Sequence, residues 1–279
     1  MNRYTVLDVF TDVPLEGNQL AVFLNGTGLS AEVMQRAARE LHLSETAFLF
    51  PPQEGGHARV RIFTPAAELP FAGHPVLGTA IFLGQHMATS VVRLETGAGV
   101  IPVTLTREEG RVVSGEMEQP IPSLEPFGEE AELLRALGVE RSQLPIEAYR
   151  QGPLHVYVEL EGEDAVASLT PDMTALERLG PLGVSCFAAD AHTVKTRMFA
   201  PALGVPEDPA TGSAAGPLAV HLARHGAIQY GQEIEIRQGA EIGRPSLLRA
   251  RVEGTADRIE RVTVAGSAVV VARGEYRLQ

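Results

Sequence analysis

The sequence predicts an α+β protein of two pseudo-symmetric domains, each a curved, mostly antiparallel sheet wrapped around a central helix. Three observations lead there. A strand–proline–turn–helix pattern occurs twice, one of the two helices is apolar on nearly every side, and hairpin-like strands fill much of the rest. The length of 279 residues suits two domains better than one. With 44% hydrophobic and 21% charged residues, the chain can build such cores without a disulfide or metal staple.

Along the chain, Ser30 reads as the cap of a first helix, with Glu32 in its first turn and Val33, Ala37, Ala38 and Leu41 on its apolar face. Thr170, followed by Pro171 at the first helical position and Asp172, opens a counterpart in the second half. Each cap precedes a short apolar strand by the same interval, so Glu45 of Glu45–Phe50 is placed opposite Ser185 of Ser185–Ala188. Arg61-Ile-Phe-Thr-Pro65 then recurs as Arg197-Met-Phe-Ala-Pro201. Glu68-Leu-Pro-Phe-Ala-Gly-His-Pro75 runs parallel to Glu207-Asp-Pro-Ala-Thr-Gly-Ser-Ala214, matching Gly73 with Gly212 and His74 with Ser213. Helices are expected next, over 76–83 up to Gly84 and over 218–225 up to Gly226, since glycine favours the position past a helix end. Thr96-Gly-Ala98 echoes Gln238-Gly-Ala240.

Hairpin-like strands are expected at Val91–Glu95, Val100–Thr106 and Arg111–Met117, and in the second half at Val156–Leu160, Glu233–Arg237 and Leu247–Val252. The proline-rich stretch 119–128 reads as a linker between domains 1–118 and 129–279, with the extreme C-terminus free to pair with the first domain.

Composition excludes several classes of function. The net charge of −12 leaves no basic stripe for nucleic acid. With no Trp and 5% aromatic residues, an aromatic platform for sugars or bases is not expected either. One cysteine, Cys186, cannot form an internal disulfide, a thiolate zinc site or a two-thiol pair. No apolar run is long enough to span a membrane and the N-terminus has no apolar signal core, so a cytoplasmic protein is expected. His221 and His225 have the i, i+4 spacing of a metal pair but no Glu beside His221, and read as ordinary helix residues. No phosphate loop or dinucleotide fingerprint is present, and neither metal nor organic cofactor is expected.

A helix that starts at a Gly turn presents free N–H groups and the positive end of its dipole. Gly73 and Gly212 let a ligand approach the backbone closely. If the two halves face each other, the two helix starts would converge on an anion, most simply a carboxylate. The same Gly and Ser residues also serve as plain helix caps. Glu45 stands just before an apolar strand, where partial burial would raise its pKa and suit it to carry a proton; an exposed loop position is the alternative. Asp208 could orient a polar substrate group or form an Asx turn before Pro209. His74 opens a helix, where the neutral imidazole is favoured and can donate or accept a proton.

Five segments in order resemble the PhzF-like family of phenazine-biosynthesis isomerases: Phe10-Thr-Asp-Val-Pro-Leu-Glu-Gly-Asn-Gln-Leu-Ala-Val-Phe23, Leu43-Ser-Glu-Thr-Ala-Phe48, Phe71-Ala-Gly-His-Pro75, Glu207-Asp-Pro-Ala-Thr-Gly-Ser213 and Gln238-Gly-Ala-Glu-Ile-Gly-Arg-Pro-Ser246. The resemblance implies a diaminopimelate-epimerase-like fold, with a cleft between two related domains, and a homodimer. It also implies isomerisation of a small carboxylate such as trans-2,3-dihydro-3-hydroxyanthranilic acid without a cofactor. On it, Glu45 shuttles the proton and His74 and Asp208 assist. Gly73, Gly212 and Ser213 hold the substrate carboxylate and nearby polar groups, with Asn18 close by. Gln19 departs from the proline that more often follows the Asn. The racemases and epimerases of this fold class use two opposed cysteines, but here those positions hold His74 and Ser213. A single acid favours a double-bond shift over stereoinversion. The alternatives are a non-catalytic carboxylate-binding protein, an epimerase acting on another small acid, and a structural or interaction protein, for which no suitable tail exists.

Overall fold

A computed structural model describes residues 1–278, and the chain divides into two compact units. The first takes Met1–Glu118 together with residues from Ala265 onward, and the second is Gln119–Val264. No described helix is long and apolar enough to cross a membrane.

The first unit contains β1 (Asn2–Val9), β2 (Asn18–Phe23), α1 (Ala31–Leu41), β3 (Glu45–Phe50), β4 (Ala58–Phe63), β5 (Glu68–Leu69), α2 (Gly73–Gly84), β6 (Val91–Thr96), β7 (Gly99–Glu108) and β8 (Arg111–Gln119). β1 and β2 are antiparallel, and α1 crosses over to β3, parallel to β2. β4 returns antiparallel to β3 and carries the short β5. α2 then crosses over to β6, parallel to β4, and β7 and β8 follow as antiparallel strands.

The second unit contains β9 (Ser123–Glu125), α3 (Glu130–Leu137), β10 (Glu147–Arg150), β11 (Leu154–Glu159), α4 (Glu163–Ala167), α5 (Met173–Arg178), β12 (Leu182–Asp190), β13 (Thr193–Ala200), β14 (Val205–Asp208), α6 (Gly212–Arg224), β15 (Glu233–Gln238), β16 (Ser246–Gly254) and β17 (Ile259–Gly266). Its pairings from β10 to β16 repeat those from β1 to β7 in the same order and sense: antiparallel, parallel crossover, antiparallel, antiparallel spur, parallel crossover, antiparallel. The last strand, β18 (Ala268–Tyr276), pairs antiparallel with β1 and so belongs to the first unit rather than the second. The stretch expected as a linker falls inside the second unit, where β9 pairs with β10.

One ion pair marks the duplication atom by atom. Arg61 donates from Nε and Nη2 to both Glu68 oxygens at 2.6 Å, and Arg197 does the same to Glu207 at 2.9 Å. Each guanidinium lies over the phenylalanine two residues on, Phe63 at 5.3 Å and Phe199 at 5.0 Å. Anchoring on these arginines corrects the expected match of Glu45 with Ser185. Arg61 faces Phe48 and Arg197 faces Cys186, so counting back three residues sets Glu45 against Gly183.

The helices show how burial substitutes for propensity. Ser30 caps α1, accepting from the Val33 N–H at 3.2 Å. The cap of α5 is Asp172, not Thr170: its Oδ1 accepts from the Ala175 N–H, while Thr170 turns its hydroxyl back to the Ser168 carbonyl. α2 and α6 start several residues earlier than the apolar pattern suggests, at Gly73 and Gly212. Their first turns hold Gly, Pro and Ala, which give no periodic signal. In α2 every residue but Leu83 is buried. A Cβ on Gly78 would lie 2.6 Å from Val9 Cγ2 and 3.0 Å from Leu20 Cδ2, so glycine here lets the helix lie close on β1 and β2. Pro217 inside α6 removes one helical N–H. Two side chains support the surrounding carbonyls: Gln119 Nε2 donates to Gly212 O at 2.9 Å and the Tyr157 hydroxyl to Ala214 O at 2.7 Å.

Candidate active site

In the first unit, Glu45 is the first residue of β3, paired with Leu20 of β2, and its side chain retains 16% exposure. Its Oε2 lies 3.2 Å from Nε2 of His74, the second residue of α2, whose side chain is 6% exposed. This is not an ion pair, because burial pushes the His74 imidazole down to about 3. The ring's hydrogen bond with the Gln19 backbone opposes that shift only in part. Nε2 has no hydrogen-bond partner among the described residues, so the bond to Gln19 falls on Nδ1. Because that bond favours the protonated ring, the ring is the donor and the Gln19 carbonyl the acceptor. A proline at position 19 would supply the same carbonyl, so the departure at Gln19 leaves this acceptor in place. The neutral ring therefore turns an Nε2 lone pair toward Glu45.

Asn18 is fully buried as the first residue of β2, opposite Val9. Gly73 is the first residue of α2, whose N-cap Ala72 offers no side-chain cap. The first capped N–H in that turn is Val76, which donates to the Ala72 carbonyl, so the turn begins with backbone donors at Gly73 and His74.

In the second unit, Asp208 ends β14 and is 8% exposed. Its Oδ2 accepts from the Thr211 hydroxyl at 2.7 Å, so it is tied to the turn and not only to Pro209. Gln238 clamps the same turn: Nε2 donates to Asp208 O at 2.7 Å and Thr211 Oγ1 at 3.0 Å, while Oε1 accepts from the Thr211 N–H. The next residue, Gly239, has φ +82°, and a Cβ there would meet the Pro209 carbonyl at 2.5 Å. In the first unit a Cβ on Gly97 would lie 2.9 Å from Pro70 Cα, so the echoed Gly-Ala pairs are seats for the two proline turns. Thr211 precedes α6 without capping it through its side chain, which leaves Gly212 and Ser213 as the donors of that helix start. Ser213 Oγ lies 3.1 Å from Nε2 of His155, a buried residue of β11. Sequence reasoning singled out neither His155 nor the clamping role of Gln238. A lone histidine in an apolar strand carries no signal, whereas the repeated Gln-Gly-Ala did point to position 238.

The histidines read as ordinary helix residues turn out to share a carboxylate. Glu147 Oε2 accepts from the Tyr149 hydroxyl at 2.5 Å and lies 3.2 Å from His221 Nδ1 and 3.0 Å from His225 Nε2. Burial alone would raise Glu147, but the hydrogen bonds from Tyr149 and His225 hold it below the usual carboxylate range. Glu147, His221 and His225 have the donors of a metal tripod. For His221 to ligate through Nδ1, however, its ring proton must sit on Nε2, which is buried with no acceptor among the described residues. The donor set fits a hydrogen-bonded cluster better than a metal centre. Cys186 is buried with its thiol pushed up by burial, which makes it an inert core residue.

Comparison with known proteins adds to this geometry. The family model described as phenazine biosynthesis-like protein matches residues 7–274. The chain is 54% identical to trans-2,3-dihydro-3-hydroxyanthranilate isomerase of Pseudomonas aeruginosa, covering 100% of both chains. It is 52% identical to the Pseudomonas fluorescens protein of the same name, over 98% of this chain and 99% of that one. A solved structure from Bacillus anthracis, a phenazine biosynthesis protein of the PhzF family, superposes with TM-score 0.86 over 99% of each chain at 26% identity.

Proposed function

The chain belongs to the phenazine biosynthesis-like protein family, and on that premise we infer that it is an isomerase that moves a proton, and with it a double bond, on a small carboxylic acid. The observation that carries the chemistry is the contact between Glu45 Oε2 and the lone-pair nitrogen of a neutral, buried His74. Two acceptors at 3.2 Å repel each other unless a proton lies between them. The pair is therefore suited to pick up one proton and hold it briefly. The Glu45 carboxylate takes a proton from a substrate carbon, and the C–H electron pair becomes a new C=C bond. The original double bond moves its pair to the far carbon, which takes the proton back from Glu45. One C–H bond breaks and one forms, so no oxidant or reductant is needed. A single carboxylate serving both carbons favours this shift over inversion of a stereocentre.

In the same proposal Asp208, held by Thr211, orients a polar group of the substrate. Gly73, Gly212 and Ser213 bind its carboxylate through backbone and hydroxyl donors, and Asn18 supports the first unit's share of the site. A homodimer is carried over from the family resemblance; light scattering at micromolar concentration should give twice the chain mass.

The test is incubation with trans-2,3-dihydro-3-hydroxyanthranilate in heavy water, followed by proton NMR, beside Glu45→Gln. Loss of substrate and uptake of solvent deuterium are expected in the unmodified protein alone, with Glu45→Gln slower by about 10³-fold or more. Turnover by the Glu45→Gln protein at an undiminished rate would remove Glu45 from the reaction. Binding of the acid with no exchange in either protein would favour a carboxylate-binding role.

A further inference from the structure

We propose that His155 is the positioning residue for Ser213, donating its Nε2–H to Ser213 Oγ so that the serine hydroxyl proton is left free to point at an anionic group of the substrate. The proposal rests on the reading of Ser213 as a substrate-binding residue. It starts from the register. The second-unit counterpart of Glu45 is Gly183, and the counterpart of His74 is Ser213. In the first unit the acid at the start of β3 reaches the second residue of its helix. In the second unit the equivalent strand position has no side chain, and His155, paired with Gly183 on the neighbouring strand, takes the space instead. A Cβ on Gly183 would lie 2.7 Å from His155 Nδ1 and 3.1 Å from Cε1, so the ring stands where a side chain at 183 would begin. From there Nε2 lies 3.1 Å from Ser213 Oγ.

The tautomer follows from what faces each nitrogen. Burial pushes His155 down to about 4, so the ring is neutral at working pH and carries one proton. Nδ1 is buried and has no hydrogen-bond partner among the described residues. A proton there would be an orphaned buried donor, which is more costly than a buried lone pair, so the proton sits on Nε2. With Nε2 donating, Ser213 Oγ is the acceptor and its own O–H is unspent. In the other tautomer the serine would donate inward and turn only lone pairs toward an incoming anion. Ser213 itself is half-buried, so its hydroxyl remains reachable while His155 does not.

Two measurements test this. Long-range proton–nitrogen correlation spectra of the unmodified protein should show one histidine fixed as the Nε2–H tautomer from about pH 8 to about pH 5. His155→Gln should remove that signal, and Ser213→Ala should shift it. An Nδ1–H tautomer, or a ring that titrates near its ordinary value, would overturn the proposal. In steady-state kinetics with trans-2,3-dihydro-3-hydroxyanthranilate, His155→Leu and Ser213→Ala should each raise KM about 3- to 10-fold with kcat little changed. The double variant should be no worse than either single one. His155→Gln, which keeps an N–H donor, should recover much of the loss. Gly183→Ala, which displaces the ring without touching the serine, should behave like His155→Leu. Additive losses, or equal damage from Gln and Leu, would mean that His155 only fills space. The tautomer is read without turnover, so an unmodified protein that leaves this acid unchanged counts against the isomerase reading, whereas a wrong tautomer counts against His155.

Discussion

Removing Arg197 should cost several times more stability than removing Arg61, although the two residues occupy equivalent positions in the two units. Both form a two-pronged pair with a glutamate, but the surroundings differ. The Arg61 and Glu68 side chains are 28% and 40% exposed, whereas Arg197 and Glu207 are at 9% and 10%. Arg197 also donates from Nη1 to the carbonyls of Val166, Ala167 and Leu169, at 3.4, 3.2 and 2.8 Å. It thereby ties the end of α4 and the turn after it to β13. Truncation at 61 leaves a solvated carboxylate, and such pairs are worth about 0.5–1 kcal/mol. Truncation at 197 leaves a buried carboxylate and three carbonyls that lose a donor, for which about 3–5 kcal/mol is expected. Urea unfolding followed by circular dichroism reads the difference, with Arg61→Ala and Arg197→Ala made in parallel. Equal shifts of the midpoint, or a loss below about 1.5 kcal/mol for Arg197→Ala, would refute the claim that burial sets the worth of this pair.

Acid should unfold the protein through its buried histidines. His74 is held at about 3 and His155 and His221 at about 4, against 6.5 for the free side chain. Below pH 6.5 the unfolded chain takes up protons that the folded chain refuses. Stability is therefore full above that value and falls as pH drops toward the folded values, by about 1.4 kcal/mol per pH unit for each fully buried ring. Urea midpoints at about pH 7.5 and about pH 5 should show the loss, and His155→Gln should lessen it. A pH-independent midpoint would contradict the burial argument. At Gly239, φ is +82° and an added Cβ would lie 2.3 Å from Arg244 O and 2.5 Å from Pro209 O. Gly239→Ala should cost about 2–4 kcal/mol and lower kcat/KM by disturbing the Asp208 turn. Gly152→Ala, at φ +110° with nothing nearby, carries the backbone cost alone and serves as the control; equal melting temperatures for the two would refute the packing part.

Much of this architecture was legible because duplication leaves its strongest traces at positions with backbone duties. Pro70 and Pro209 hold matching turns, Gly97 and Gly239 seat them, and Gly73 and Gly212 open the helices. The alternating strands from β6 to β8 also came through, because one face of each is buried and the other wet. The apolar pattern by itself placed the helix starts late, at 76 and 218, since Gly-His-Pro and Gly-Ser-Ala-Ala-Gly-Pro have poor helix propensity and fold only because sheet encloses them; the repeated Gly turns marked the true starts. Helix α3 was not legible: its core contacts are Leu133, Ala136 and Leu137 among charged neighbours, a short pattern next to a proline-rich stretch. The match of Glu45 to Ser185 failed for a specific reason. Equal distance from a helix cap measures loop length, whereas register is set by cross-strand pairing, and the second crossover takes two helices where the first takes one.

That corrected register changes what the asymmetry of the halves means. Had Ser185 replaced Glu45, the second unit would hold a weakened copy of the acid. It holds instead a glycine at that position and a neutral histidine reaching in from the adjacent strand. Ser185 lies deeper in β12, buried, and its Oγ has no partner among the described residues. On the proposed reading, emptying one position and filling it with a histidine that stays uncharged near neutral pH leaves Glu45 as the proton carrier and Ser213 as an anchor. On that reading the division involves three exchanges: glutamate for glycine at Glu45 and Gly183, leucine for histidine at Leu20 and His155, and histidine for serine at His74 and Ser213. All three change side chains on a pairing pattern that the two units share.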